Sequence, residues 1–152
     1  MAETTARRVA DYIVSFLSEH GDPVTNLKLQ KLLYYGQAWH LALHDTPLFD
    51  ERIEAWTHGP VVPPVYGDFK EWAWNPIPPQ NEQHLPERAE ALVKEVLDVY
   101  GSFGAYQLER LTHEEDPWKN ARRGLAPDEP SNNIISQDDM KAYYRARLNA
   151  RN

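Results

Sequence analysis

The chain has no cysteine. That absence removes disulfide staples, thiolate nucleophiles and cysteine-based zinc sites together, and it fits a cytoplasmic location. No apolar run reaches the ~18–20 residues of a membrane span. The opening stretch MAETTARRVADYI has no apolar core ahead of a small-residue cleavage site, so no signal peptide and no membrane partner are expected. Positive charge is scarce: 16 Lys and Arg stand against 23 Asp and Glu, a formal net charge of −7. Because nucleic-acid binding rests largely on phosphate contacts, no nucleic-acid partner is expected. An acidic chain of this kind stays soluble and complements a basic partner. Internal repeats and low-complexity tracts are missing too. At 152 residues, one domain covering residues 1–152 is the expectation. A chain this long buries roughly two-thirds or more of its unfolded surface and needs no metal or cofactor to fold.

What the chain does have is helical periodicity, centred on Thr25 to His44. Thr25 can cap the start by accepting a bond from a first-turn N–H. Leu29, Leu32, Leu33, Gly36, His40 and Leu43 recur at threes and fours and share a face, while Leu27, Tyr34, Tyr35, Ala38, Trp39, Leu41 and Ala42 fill most of the rest. A helix apolar nearly all round is surrounded by others, so this one reads as the central post. Lys28 and Lys31 mark its only solvated strip. Gly36 costs on the order of 1 kcal/mol in a helix interior, which suggests close approach of another backbone.

The other elements follow from stripes and stops. A first helix begins near Thr4 or Thr5, buries Val9, Tyr12, Ile13, Phe16 and Leu17, and stops at Gly21 before Pro23. Ile53 to Trp56 alternates apolar and polar residues, as a short strand does. Gly59-Pro60 reads as a sharp, fixed corner. Pro63 or Pro64 then opens a short helix carrying Val65, Phe69 and Trp72. Trp74 to Leu85 is a proline-stiffened loop. Pro86 starts a helix with the stripe Leu92, Val93, Val96, Leu97 and Tyr100, ended by Gly101. Helices from Gly104 and Pro117 come next, then a loop over residues 124–133. Ser136 caps a last helix whose acids lie at its start and whose Lys141, Arg145, Arg147 and Arg151 come later, matching the helix dipole. The fold class expected is mainly α: a single compact helical domain around a central buried helix, with at most one short strand pair near Ile53 to Trp56.

Candidate chemistry is thin. His40 and His44 stand four apart, a metal-ligand spacing, and a third ligand could come from His58 or His113. No fourth is identifiable from spacing, so no metal is assigned. His113-Glu114-Glu115-Asp116 resembles acid–base material, but a charged link between helices, with His113 or Asp116 capping the turn at Pro117, explains it more simply. No catalytic residue is assigned and an enzyme is not expected. Arg145, Arg147 and Arg151 suit a helix C-terminus better than a nucleic acid. Trp39 and Trp118 belong in the core, whereas Trp56, Trp72 and Trp74 flank the proline-rich corner.

Four pieces stand together in order: Thr25-Asn26-Leu27-Lys28-Leu29-Gln30-Lys31-Leu32-Leu33-Tyr34-Tyr35; Pro47-Leu48-Phe49 with Ile53-Glu54-Ala55-Trp56; His58-Gly59-Pro60-Val61-Val62 with Val65-Tyr66; and Leu108-Glu109 with Leu111-Thr112-His113 and Pro117-Trp118. This combination resembles the Panacea domain, also called the SocA-like antitoxin domain, over nearly the whole chain. The resemblance implies an antitoxin that binds and neutralises a cognate toxin encoded by an adjacent gene, as in a type II toxin–antitoxin system. It also implies a rival to simple occlusion, an adaptor that delivers the toxin to a Clp protease; a homodimer is compatible with either. A small metal-dependent hydrolase using His40, His44, His58 or His113 is the reading from another class. The expected toxin-binding surface has Trp56, His58, Pro60, Tyr66 and Tyr34 at its centre, with Lys31 and Gln30 at the rim. A stable specific interface buries ~1,200–2,000 Å² in total.

Overall fold

The computed structural model describes residues 2–81 and 84–150. Its centre is α2, Asn26–His44. Thr25 Oγ1 accepts from Lys28 N at 3.3 Å and starts the helix; Asp45, in a left-handed conformation at φ 63°, ends it. Around α2 pack α1 (Ala6–Glu19), the hairpin β1 (Glu54–Trp56) and β2 (Gly59–Val61), and α3 (Pro63–Phe69), which runs into a 3-10 turn. The remaining elements are α4 (Glu87–Tyr100), α5 (Ala105–His113), α6 (Asp116–Arg122) and α7 (Gln137–Ala150). Helix and one small antiparallel sheet are what the periodicity implies, and the strand pair lies where alternation placed it.

Leu29, Leu32, Leu33, Tyr34 and Tyr35 of α2 are all fully buried. Its polar residues are buried as well, which overturns the expected solvated strip. Helices α1, α3, α4, α5 and α7 and strand β2 together leave α2 no open side for Lys28 and Lys31. Lys28 resolves this by donating to the carbonyl of Gly101, at the C-terminal end of α4, at 2.6 Å. Leu43, placed on the buried face by spacing, is 43% exposed near the helix end. Gly36 meets a side chain where a backbone was anticipated: a Cβ there would lie 3.2 Å from Leu48 Cδ2. Gln37 holds that neighbouring segment in place. Its Oε1 accepts from Leu48 N at 2.7 Å, and its Nε2 donates to Phe49 O at 2.7 Å.

Local signals explain the other ends. Thr5 Oγ1 accepts from Arg8 N to start α1, and Ser136 Oγ accepts from Asp139 N at the start of α7. Helix α7 returns across the C-terminal end of α2. Lys141 Nζ lies 2.5 Å from Asp45 Oδ1, and Arg145 Nε donates to the carbonyl of Ala42 at 3.1 Å. Cations beside a helix C-terminus stabilise it, and this accounts for Arg145. Arg147 lies over the Tyr143 ring, and Arg151 lies outside the described residues. Trp39 packs against the core while half-buried, and Trp118 is buried.

In the hairpin, Glu54 pairs with Val61, Ala55 with Pro60 and Trp56 with Gly59. Pro60 has no N–H to give a sheet, so β2 serves as an edge strand. Ala55 turns its own N–H the other way, to Asn133 O at 2.8 Å. The chain after the loop thereby fastens β1 from its far side.

Candidate recognition surface at the hairpin

Of the seven residues nominated for recognition, the structure leaves Trp56, His58 and Tyr66 accessible and buries Gln30, Lys31, Tyr34 and Pro60. Trp56 and Tyr66 meet edge to face, ring centroids 5.0 Å apart at 65°. His58 stands in the two-residue turn next to Trp56, its side chain 69% exposed, with Nδ1 3.3 Å from Glu109 Oε1. Partly exposed aromatics on a fixed support are the residues that dominate binding energy at interfaces.

The buried four act as the support. Gln30 Oε1 accepts from Val62 N at 2.9 Å, and its Nε2 donates to Asn26 Oδ1 at 2.9 Å. Asn26 Nδ2 in turn donates to the carbonyl of Tyr66 at 3.1 Å. One face of α2 thus grips both ends of the segment from β2 to α3. Sequence reasoning overlooked Asn26, although two amides four apart in an otherwise apolar helix were a readable signal.

Lys31 lies under the turn. Gly59 has φ +112°, and a Cβ on it would come within 2.8 Å of Lys31 Cε and 3.1 Å of Thr112 Oγ1. The glycine therefore supplies both a backbone conformation L-residues rarely adopt and the notch that admits the lysine. Lys31 Nζ is buried without a hydrogen-bond partner among the described residues. Burial pushes its pKa down to about 7, opposed only in part by the charge of Glu109.

Trp118 and Arg122 back the hairpin from α6. Trp118 Nε1 donates to Trp56 O at 2.9 Å, and His113 stacks on the Trp118 ring at 4.0 Å. Burial lowers the pKa of His113, against the pull of Glu109. Arg122, 2% exposed, lies over the other part of the same indole and donates to Ala55 O at 3.1 Å and Ala126 O at 2.9 Å. Nothing in the sequence singled out Arg122. Glu54 fixes Trp56 directly, accepting from its Nε1 at 2.9 Å and from Arg52 at 2.8 Å.

The acid–base candidates have other duties. Glu115 is buried, and it accepts from Tyr34 at 2.8 Å, from Tyr35 at 2.9 Å and from Tyr144. Burial raises its pKa while the tyrosine hydroxyls hold it down. The same burial raises the pKa of all three tyrosines, so each hydroxyl stays a donor. Tyr34 is thereby a core brace and no surface residue. The expected cap by His113 or Asp116 is not formed: Glu115 is the N-cap residue of α6, and no side chain caps it. His40 is fully buried, with Nδ1 2.5 Å from Thr46 O and its ring 4.9 Å from that of His44. Among the described residues no three His, Asp or Glu side chains are grouped to hold a metal. Nor is any described helix long and apolar enough to cross a membrane.

The family model described as antitoxin SocA-like, Panacea domain, matches residues 29–119. The chain belongs to this family. The matched stretch runs from inside α2 into α6 and contains the hairpin, Lys31, Glu109, Glu115 and Trp118. The matched residues thus hold the hairpin with most of its support, while α1 and α7 lie outside them. A relative, Antitoxin SocA of Caulobacter vibrioides (strain NA1000 / CB15N), is 41% identical over 64 residues, which is 42% of this chain and 34% of that protein. The match therefore spans about a third of the relative's length. No solved structure matches the chain.

Proposed function

We propose that the protein is the antitoxin of a type II toxin–antitoxin pair and neutralises a protein toxin by binding it directly, with the hairpin surface at the centre of the interface. One observation carries this reading: Trp56 and Tyr66 are presented together on a hairpin whose backing residues Asn26, Gln30 and Glu54 are already buried and hydrogen-bonded. A surface held in its binding geometry loses little entropy on association. Chemistry on a substrate would need an acid or base in an open cleft, whereas Glu115 is occupied by three tyrosines. The net charge of −7 favours a basic toxin. The family and its SocA relative support the antitoxin role.

The test is co-expression with the product of the adjacent reading frame. The wild-type chain restores growth, and the toxin accumulates in a stable complex with it. Trp56→Ala and Tyr66→Ala keep the helical circular dichroism and lose rescue. A toxin that vanishes only when a Clp protease is present would replace occlusion by delivery to that protease. A neighbour that is harmless when expressed alone would remove the antitoxin reading altogether.

A further inference from the structure

The pairing at β1 continues beyond the hairpin. Ile134 bridges Glu54 from the far side of β1. Ala55 N donates to Asn133 O and Ile135 N donates to Ile53 O, both at 2.8 Å. Bonds that flank a bridged pair in this way mark the non-hydrogen-bonded kind of antiparallel pairing. The N–H and C=O of Ile134 therefore point away from β1, and neither has a hydrogen-bond partner among the described residues. Ile134 stands opposite Glu54, two places from Trp56, so these three side chains lie on one face of the sheet. The Ile134 side chain is 60% exposed. A sheet edge that stays single is ordinarily guarded by charge, proline or a bulge. Residues 131–136, Ser-Asn-Asn-Ile-Ile-Ser, contain neither charge nor proline.

Ile134 also lines a cleft of about 420 Å³, within the ~300–1,000 Å³ range of clefts that seat a ligand. The lining includes Asn120 and Arg123 at the end of α6, and Asn132, Ser136 and Asp139 around the edge. Arg123 and Asp139 offset each other, so side-chain charge does not select the occupant. The main chain does. An outward donor and acceptor on an extended edge are matched by the N–H and C=O of another extended segment. A helix cannot supply them, because its backbone groups are spent within its own turns. A second copy of the chain would bring its own α6 end and α7 start along with its strand. A lone extended segment brings nothing else into the cleft.

We infer that the edge at residues 133–135 takes an extended segment of the protein partner as a further strand, bonded through the N–H and C=O of Ile134 and packing an apolar side chain against it. The identity of that partner as a toxin rests on the reading above; the edge itself can be tested without it. The probe is a short labelled peptide of alternating valine and threonine with a lysine at each end, followed by fluorescence anisotropy with the full chain. The unmodified peptide binds. Successive N–H groups of a strand point to opposite edges. N-methylation of one alternate set therefore abolishes binding, while methylation of the other set leaves the affinity within about threefold. Ile134→Pro removes the outward N–H at an edge position where proline is tolerated, and it weakens the peptide at least about tenfold. Asn120→Trp, at an exposed position of α6, fills the cleft and has the same effect without touching the edge, so the test stands even where the proline variant misfolds. The inference is overturned if the unmodified peptide fails to bind, if the two methylated peptides behave alike, or if neither variant weakens binding. It is also overturned if sedimentation shows a dimer of the chain that Asn120→Trp dissolves, because the occupant is then a second copy. Failure of the wild-type chain to rescue growth sinks the antitoxin reading and leaves the peptide result standing.

Discussion

Glu115 and Lys31 are both buried at α2, and the fold treats them in opposite ways. Glu115 receives three tyrosine hydroxyls from α2 and α7. Lys31 Nζ finds no hydrogen-bond acceptor among the described residues and sits under Gly59 in a notch that only a glycine leaves. A buried polar group costs free energy unless it is bonded. The Glu115 cluster therefore ties α2, α6 and α7 into one body, while Lys31 is a local cost carried directly beneath the hairpin turn. Sites where a chain departs from what stability alone favours tend to be functional. The comparison thus separates a bonded cluster from an unbonded lysine that lie within one turn of each other on α2.

The largest effect expected is at the Glu115 cluster. Glu115→Ala strands three buried hydroxyls and should lower the unfolding free energy by about 3–5 kcal/mol, read by urea titration. A loss under about 1 kcal/mol would mean that the cluster is decorative. At Lys31 the sign reverses. Lys31 has a native pKa of about 7 against an ordinary value of 10.5, so the unfolded chain binds the extra proton between those values. Stability attributable to this residue therefore rises as pH increases from 7 towards 10.5, and the burden is fullest below pH 7. Lys31→Met should stabilise the chain by about 2–4 kcal/mol at pH 6, with the gain fading above pH 10. A destabilised Met variant at pH 6 would show that Lys31 has a stabilising partner after all. Gly59→Ala is the smallest of the three, a loss of about 1–3 kcal/mol from a strained φ and a crowded lysine. Combining it with Lys31→Ala should recover the crowding part of that loss and leave the φ part. Strict additivity in that double-mutant cycle would separate Gly59 from Lys31.

Much of this architecture was readable beforehand because helix ends are local. Thr5, Thr25, Ser136, Pro86 and Gly101 mark boundaries through groups within a few residues of themselves, and the stripes of α1 and α4 need only their own periodicity. Burial of polar side chains is decided from far away. Lys31 looks solvated until a turn twenty-eight positions on supplies a missing Cβ. Glu115 looks like a linker acid until tyrosines from α2 and α7 close on it. The candidate surface divides along the same line. Trp56, His58 and Tyr66 come from one contiguous segment and were legible as a group, whereas Gln30, Lys31, Tyr34 and Pro60 were assigned outward by residue type and turn inward by packing.

The most direct measurement is the affinity of the purified chain for the product of the neighbouring gene, compared between wild type and Tyr66→Ala at unchanged circular dichroism. A Kd at least about tenfold weaker in the variant is the predicted result. Equal affinities would show that the partner is held elsewhere and that the hairpin is not the surface on which recognition turns.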